Sequence, residues 1–429
     1  MGTTFNLRDF TEKYNNEVHF RNNKDEPFYR WYSFVEGFSG NFVKSIIREL
    51  DCTPSLCLDP FSGSGTTPLA CQELGIKCLS FEINPFLHDL TKAKLYRRYD
   101  RQFFEDTIDM LEQGLVKHED TWEYPKLDPQ TLFEREHLKK WILNRQVAWA
   151  IFDILTEIEN LLDDSEGHHK LLLRMALASN LLDVSNVFRN GKCLSYKPNW
   201  QSHGLSRRDV HKKFISFCRN VILQDMQQLN SDDKMVDNYH LCRNGDARKL
   251  IKDLEDQSVD LVITSPPYLN SRDYTDIYRL ELWMLGYLKS YADERELRKS
   301  TLRSHVQILW PNEETLKINR LTEVLKELEK HREELWNRSI PEMIKGYFAD
   351  MNVIFEALYK KLKGKSKVYL TVGNSSYCEQ TIETDAIIAE IAEMNRFQVD
   401  EIRVARYLKS SGQQDSKKIR ESIIVLTKT

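Results

Sequence analysis

The chain has 429 residues, 41% hydrophobic and 29% charged, with a formal net charge of −4. That balance belongs to a globular protein with room for one elaborated domain or two to three smaller ones. A mean hydropathy of −0.54, with no run near the roughly 18 apolar residues of a membrane span, excludes a helical membrane protein.

The first residues, MGTTFNLRDFTEKYNNEVHF, hold no apolar stretch like that of a signal peptide. Asn6 stands where a myristoylation signal needs Ser or Thr. Eight cysteines, at 52, 57, 71, 78, 193, 218, 242 and 378, are scattered without a CxxC pair or zinc spacing. A reduced, cytoplasmic protein without a structural metal is the expectation.

In chain order, NFVKSIIREL (41–50) has a helical apolar period and SLCLD (55–59) reads as a short buried strand. A Gly-rich turn follows, then the helix TTPLACQELG, closed by Gly75. KCLSFE (77–82) is a second strand, and NPFLHDLTKAKLYRR (84–98) a helix opening on an Asn-Pro cap pair. Residues 101–235 break the rhythm. The segments 103–115, 137–162 and 170–188 all have helical spacing, and the basic stretch 189–213 carries turn signals.

The alternation returns at about 239. YHLCRNGDARK is strand then turn, VDLVITSPP a strongly apolar strand, and DIYRLELWMLGYL (276–288) a helix. Residues 296–345 are charged and helical. Helix 347–362, strand 367–374, helix 385–395 and strands 399–408 and 421–428 finish the chain. This pattern predicts an α/β fold: a mostly parallel sheet with helices on both faces, the last strand antiparallel, and helical insertions. The expected divisions are 1–100, a cofactor-binding half; 101–235, a helical insertion; 236–295, the catalytic continuation; 296–345, a second helical insertion; and 346–429, the C-terminal half.

The turn LDPFSGSGTTPLA (58–70) invites a ligand, because glycines let the backbone approach closely and a helix N-terminus offers free N–H groups. A Walker loop needs Lys after its last glycine, and none follows Gly65. A dinucleotide fingerprint needs a third glycine where Pro68 stands. Asp59 can accept from a ligand ammonium, Thr66 and Thr67 can hold its carboxylate, and Glu82 sits where an acid takes ribose hydroxyls. An amino-acid end plus a ribose spells S-adenosylmethionine. Asp246, after the third strand, either accepts from the adenine amine or caps the next helix.

Arg189, Lys192, Lys197, Arg207, Arg208, Lys212, Lys213 and Arg219 face one acid, Asp209, with aromatics interleaved. The run is either a solvated face or a phosphate-contacting surface. TSPPY (264–268) is either a strand terminator with a packed Tyr or an acceptor site.

DPFSGSGTT, FEINP, GDA, SVDLVITSPPY and VYLTVGNS together resemble, in order, motifs I, II, III, IV and VI of the exocyclic-amino DNA methyltransferases. SPPY is most similar to the cytosine-N4 branch, and WYSFVEGFSGNFVKSII resembles motif X, the lead-in that closes over the cofactor's methionine end. The large insertion falls between motifs II and III, earlier than the family's usual recognition domain, while the cofactor motif precedes the catalytic one; 101–235 is expected to contribute to target recognition, with 269–275 and 296–345 helping.

The resemblance implies a Rossmann-like class I methyltransferase sheet and cytosine-N4 methylation of duplex DNA beside a cognate restriction endonuclease. It adds cofactor contacts at Phe38, Pro60, Phe61, Ser62, Gly63, Gly65, Ile83, Ala247 and Ser265. It makes Ser265, Pro266, Pro267 and Tyr268 catalytic: the Ser265 hydroxyl and Pro266 carbonyl accept from the target amine, Pro-Pro fixes them in advance, and Tyr268 stacks on a flipped base. The basic run 187–219, with Arg272, becomes the expected DNA surface. Adenine-N6 or RNA amine methylation, and a non-catalytic nucleic-acid-binding subunit, are the competing readings. No Pro-Cys occurs, so the cytosine-C5 mechanism lacks its nucleophile.

Overall fold

The computed structural model describes residues 5–115, 122–162, 167–190, 193–202, 204–229, 236–270, 272–311, 314–409 and 418–429. Eight strands form the central sheet: β1 (Leu7–Asp9), β2 (Leu56–Asp59), β3 (Lys77–Glu82), β4 (Cys242–Asn244), β5 (Val259–Thr264), β6 (Leu362–Gly373), β7 (Phe397–Lys409) and β8 (Lys418–Lys428). Their order is β1-β7-β8-β6-β5-β2-β3-β4. From β4 to β6 every neighbouring pair is parallel. The final strand β8 is antiparallel, as its missing crossover helix requires, and it lies between β7 and β6.

The chain runs outward from β2 through β3 to β4, then returns to add β5 on the other side of β2. Connections on either side of β2 therefore leave in opposite directions, and a crevice opens at the C-terminal strand ends. Asp59 ends β2, Glu82 ends β3 and Thr264 ends β5, so their side chains converge there.

Helices α1 (Gly40–Arg48), α2 (Thr66–Glu73) and α3 (Pro85–Leu95) serve the cofactor half. Ser39 caps α1 by accepting from the Phe42 N–H, and Asn84 caps α3 through the Phe86 N–H at 3.0 Å. The insertion supplies α4 (Arg101–Leu115), α5 (Arg145–Asn160), α6 (His168–Val184) and α7 (Arg207–Phe217). Later come α8 (Tyr291–Ser300), α9 (Asn319–Lys330), α10 (Ile340–Lys361) and α11 (Thr384–Met394). No helix among the described residues is long and apolar enough to cross a membrane.

Three expectations need correction. The helix read over 137–162 begins only at Arg145. Residues before it pair with the preceding loop instead: Ile142 N–H donates to Thr131 and Leu143 N–H to Leu132. The helix read over 276–288 is two short ones, Tyr274–Ile277 and Arg279–Met284, broken at Tyr278. The cysteines are less scattered than their spacing says. Cys57 from β2, Cys71 from α2 and Cys78 from β3 bring their Sγ atoms within 4.8 Å of one another. All three are fully buried in one apolar cluster with Val43, Ile46 and Leu261, where a thiol packs as a small hydrophobe.

The insertion does not stand apart. One apolar cluster joins Phe28, Trp31 and Tyr32 to α3, to the inner faces of α5 and α6, and to Trp283. Asp225, 1% exposed, fastens the far end of the insertion to the N-terminal segment. It accepts from the Phe28 N–H and the Trp31 indole, both at 2.9 Å, and from Arg30 Nε at 3.1 Å.

Candidate active site

A cavity of about 410 Å³ fills the crevice. Ser265, Pro266, Pro267 and Tyr268 line it from one side. From the other come Phe38, Asp59, Pro60, Phe61, Ser62, Gly63, Thr66, Glu82, Ile83, Asp246 and Ala247. Residues some two hundred positions apart thus meet, as their motif resemblance implied. Gly65 and Thr67 do not reach the cavity. Gly65 is the left-handed cap of α2 (φ +83°), and a Cβ there would lie 2.7 Å from Thr91. Thr67 is fully buried behind the turn, which corrects its reading as a carboxylate ligand.

The loop 62–65 is held from beneath. The Thr91 hydroxyl donates to the Gly63 carbonyl at 3.2 Å, and the buried Lys94 ammonium to the Ser64 carbonyl at 3.0 Å. Burial pushes Lys94 down to about 7. Above the loop, Phe34 lies so close to Gly63 (φ +52°) that a Cβ would meet its ring at 2.9 Å. This is a close approach that requires glycine.

Asp59 takes the Thr264 hydroxyl at 2.6 Å and the Phe61 N–H at 3.1 Å on the same oxygen, Oδ1. Thr264 is the first residue of TSPPY, so this segment and the Gly-rich turn share a hydrogen bond that neither motif reveals by itself. Burial raises Asp59 to about 6. Glu82 accepts from Gly63 N–H at 2.8 Å and Asn84 N–H at 2.9 Å, yet burial still raises it to about 7.

Ser265 donates its hydroxyl proton to the Thr371 carbonyl at 3.1 Å. The oxygen's lone pairs are left to accept, as an amine-binding site requires. Tyr268 packs its ring over Gly373, where a Cβ would lie 2.9 Å from the ring, and its hydroxyl donates to Glu421. Asp246 caps the next helix through Arg248 N–H at 2.9 Å and pairs with the Arg248 guanidinium while still bordering the cavity. The 296–345 insertion adds Thr301, Ser304 and His305 to the far wall.

S-adenosylmethionine fits this cavity. A sulfonium and an ammonium give it net positive charge, and two buried carboxylates await it. Ser64 Oγ, Thr275 Oγ1, His305 Nδ1 and Thr371 Oγ1 line the same space, buried and with no hydrogen-bond partner among the described residues.

The basic segment divides. The Arg189 side chain, 7% exposed, pairs with Glu281 at 2.6 Å and donates to the Ile277 carbonyl at 3.1 Å. Lys197 donates to the carbonyls of Leu182, Asp183 and Ser185 at the end of α6. Arg207 is bound to buried Asp153, which also accepts from Trp122 and His211 at 2.7 and 2.8 Å. Burial raises Asp153, but hydrogen bonds from Arg207, His211 and Trp122 outweigh it and hold the carboxyl at about 2. These three cations are structural, which corrects their reading as phosphate contacts. Arg219, counted in the same run, pairs with Asp109 and Glu112. Arg208, Lys212 and Lys213 are exposed on α7, and Arg272 lines the cavity. Lys192 lies outside the described residues.

Residues 8–93 match the model of the N6/N4 methyltransferase family, described as DNA methylase. The chain is 29% identical to the type II methyltransferase M.AvaI of Nostoc sp. (strain PCC 7120), across 92% of this chain and 84% of that protein. It is 26% identical to the type II methyltransferase M.BsoBI of Geobacillus stearothermophilus, across 97% and 89%. M.MvaI of Kocuria varians is 22% identical across 78% and 73%. These likenesses support an amino-methyltransferase. S-adenosylmethionine is the methyl donor of type II DNA methyltransferases, and here Asp59, Glu82 and the 62–65 loop are the groups that would hold it.

Proposed function

We propose that the protein is a type II DNA methyltransferase of a restriction–modification system that methylates the exocyclic N4 amine of a cytosine turned out of duplex DNA. The observation that carries this reading is Ser265: its proton is spent on Thr371, beside a rigid Pro-Pro and a Tyr ring that line one cavity with Asp59 and Glu82. When bound, the cofactor supplies an electrophilic methyl group. Asp59 holds the ammonium end and Glu82 the ribose hydroxyls. The exocyclic amine of cytosine is a poor nucleophile because its lone pair is delocalised into the ring. Acceptors at Ser265 Oγ and the Pro266 carbonyl draw its N–H bonds out of the ring plane and free that lone pair. Because Pro266 and Pro267 lock the backbone, the acceptors need no reorganisation. Tyr268 supports the extruded base by stacking. The relatives' names support the restriction–modification context.

The test is incubation with labelled cofactor and duplex DNA, followed by nucleoside mass spectrometry. N4-methylcytosine is expected; N6-methyladenine overturns the choice of base, and transfer to RNA alone overturns the substrate class. Ser265→Ala is expected to lower kcat about 10²-fold with cofactor affinity unchanged. Full turnover in that variant refutes the role of the hydroxyl.

A further inference from the structure

We infer that Arg406 binds a backbone phosphate of the extruded nucleotide, and that Glu421 ties this contact to the Tyr268 platform. The inference rests on the reading of Tyr268 as the base platform. It places a phosphate contact outside the basic 187–219 run.

Arg406 lies on β7 directly after a register shift between Val404 and Arg406, opposite Glu421 on β8. A bulge re-aims the side chains that follow it. Arg406 and Leu408 line the cavity, while Tyr407 between them is 53% exposed. Glu421, 1% exposed, accepts the Tyr268 hydroxyl on Oε1 and Arg406 Nε on Oε2. One buried carboxylate thus holds an aromatic ring and a guanidinium side by side. The two terminal amino groups of Arg406 have no hydrogen-bond partner among the described residues, and its side chain keeps 22% exposure.

A guanidinium anchored through Nε presents its remaining amino groups as a planar fork, which matches two phosphate oxygens. A base stacked on Tyr268 carries its sugar and phosphate toward the cavity mouth. Arg272 and Arg406 both line the cavity, and Arg406 is the one that shares Glu421 with Tyr268. The cofactor brings one anion of its own, its carboxylate, and unchanged cofactor affinity in an Arg406 variant separates a phosphate contact from a carboxylate contact.

The test compares wild type and Arg406→Gln on a duplex substrate and on the same duplex with a neutral methylphosphonate linkage at the target nucleotide. Cofactor affinity is measured alongside by calorimetry. In Arg406→Gln the DNA KM is expected to rise on the order of tenfold, and the log–log salt slope of DNA binding to fall by about one. Cofactor affinity is expected to stay as in wild type. The methylphosphonate is expected to weaken wild-type binding and leave Arg406→Gln indifferent, because both changes remove one contact. Additive losses, or an unchanged KM and slope, overturn the inference. Should Arg406→Gln fail to fold, Arg406→Lys keeps the charge without the fork, and equal KM values for it and wild type overturn the bidentate contact. If wild type methylates DNA while these effects are missing, this inference alone fails. If wild type transfers no methyl group to DNA, the proposed function fails with it.

Discussion

Asp59 and Glu82 line one cavity, and burial holds both well above the ordinary carboxylate range, at about 6 and about 7. A buried acid raised in this way contributes stability below its unfolded value and loses it as pH rises through the folded one. For these two groups that window runs from about pH 4 to pH 7. A cation and two hydroxyls that favour the ionised forms reverse the trend. Cofactor affinity is therefore expected to rise with pH, on the order of tenfold between pH 6 and pH 8, as protons need no longer be displaced. Calorimetry across that range checks it, and a flat profile removes these carboxylates from the cofactor site. Asp59, Glu82 and Ser265 were legible in the sequence because each follows an apolar strand within a short motif. Thr264, Glu421 and Arg406 were not, since their roles depend on partners between 15 and 205 positions away.

Helix α7 presents two faces. Arg207 and His211, one turn apart, both meet Asp153, while Arg208, Lys212 and Lys213 point to solvent. Composition cannot tell these cations apart; helical phase and one buried acid can. Arg207→Ala leaves Asp153 buried without its guanidinium, a loss of about 3 kcal/mol that denaturant unfolding should record. The triple change of Arg208, Lys212 and Lys213 to Ala is expected to move stability little and to flatten the salt dependence of DNA binding. A steep, unaltered slope would remove α7 from the DNA surface. Helix boundaries proved less legible than strand motifs. The apolar period of 137–162 continues through residues that pair with a neighbouring loop, and periodicity does not register that competition.

At the scale of the whole molecule, the insertion and the N-terminal segment share one core, clasped by Asp225. That segment also sets Phe34 over Gly63, so the clasp bears on the cofactor loop. Asp225→Ala would leave Arg30 and the Trp31 indole without their acceptor. A lower melting temperature together with weaker cofactor binding is expected; a lower melting temperature with unchanged binding would limit the clasp to stability. The sequence by itself determined the strand–helix alternation, the antiparallel last strand, the Gly-rich turn and the Pro-Pro stop after its strand, because each is written in contiguous residues whose backbone preferences and periodicity act locally. Only the tertiary structure decided which arginines and lysines are free, that Asp246 serves as a cap, that three cysteines meet, and that Glu421 joins Tyr268 to Arg406. Those facts depend on which side chains the sheet order and the insertion's packing bring within hydrogen-bond reach.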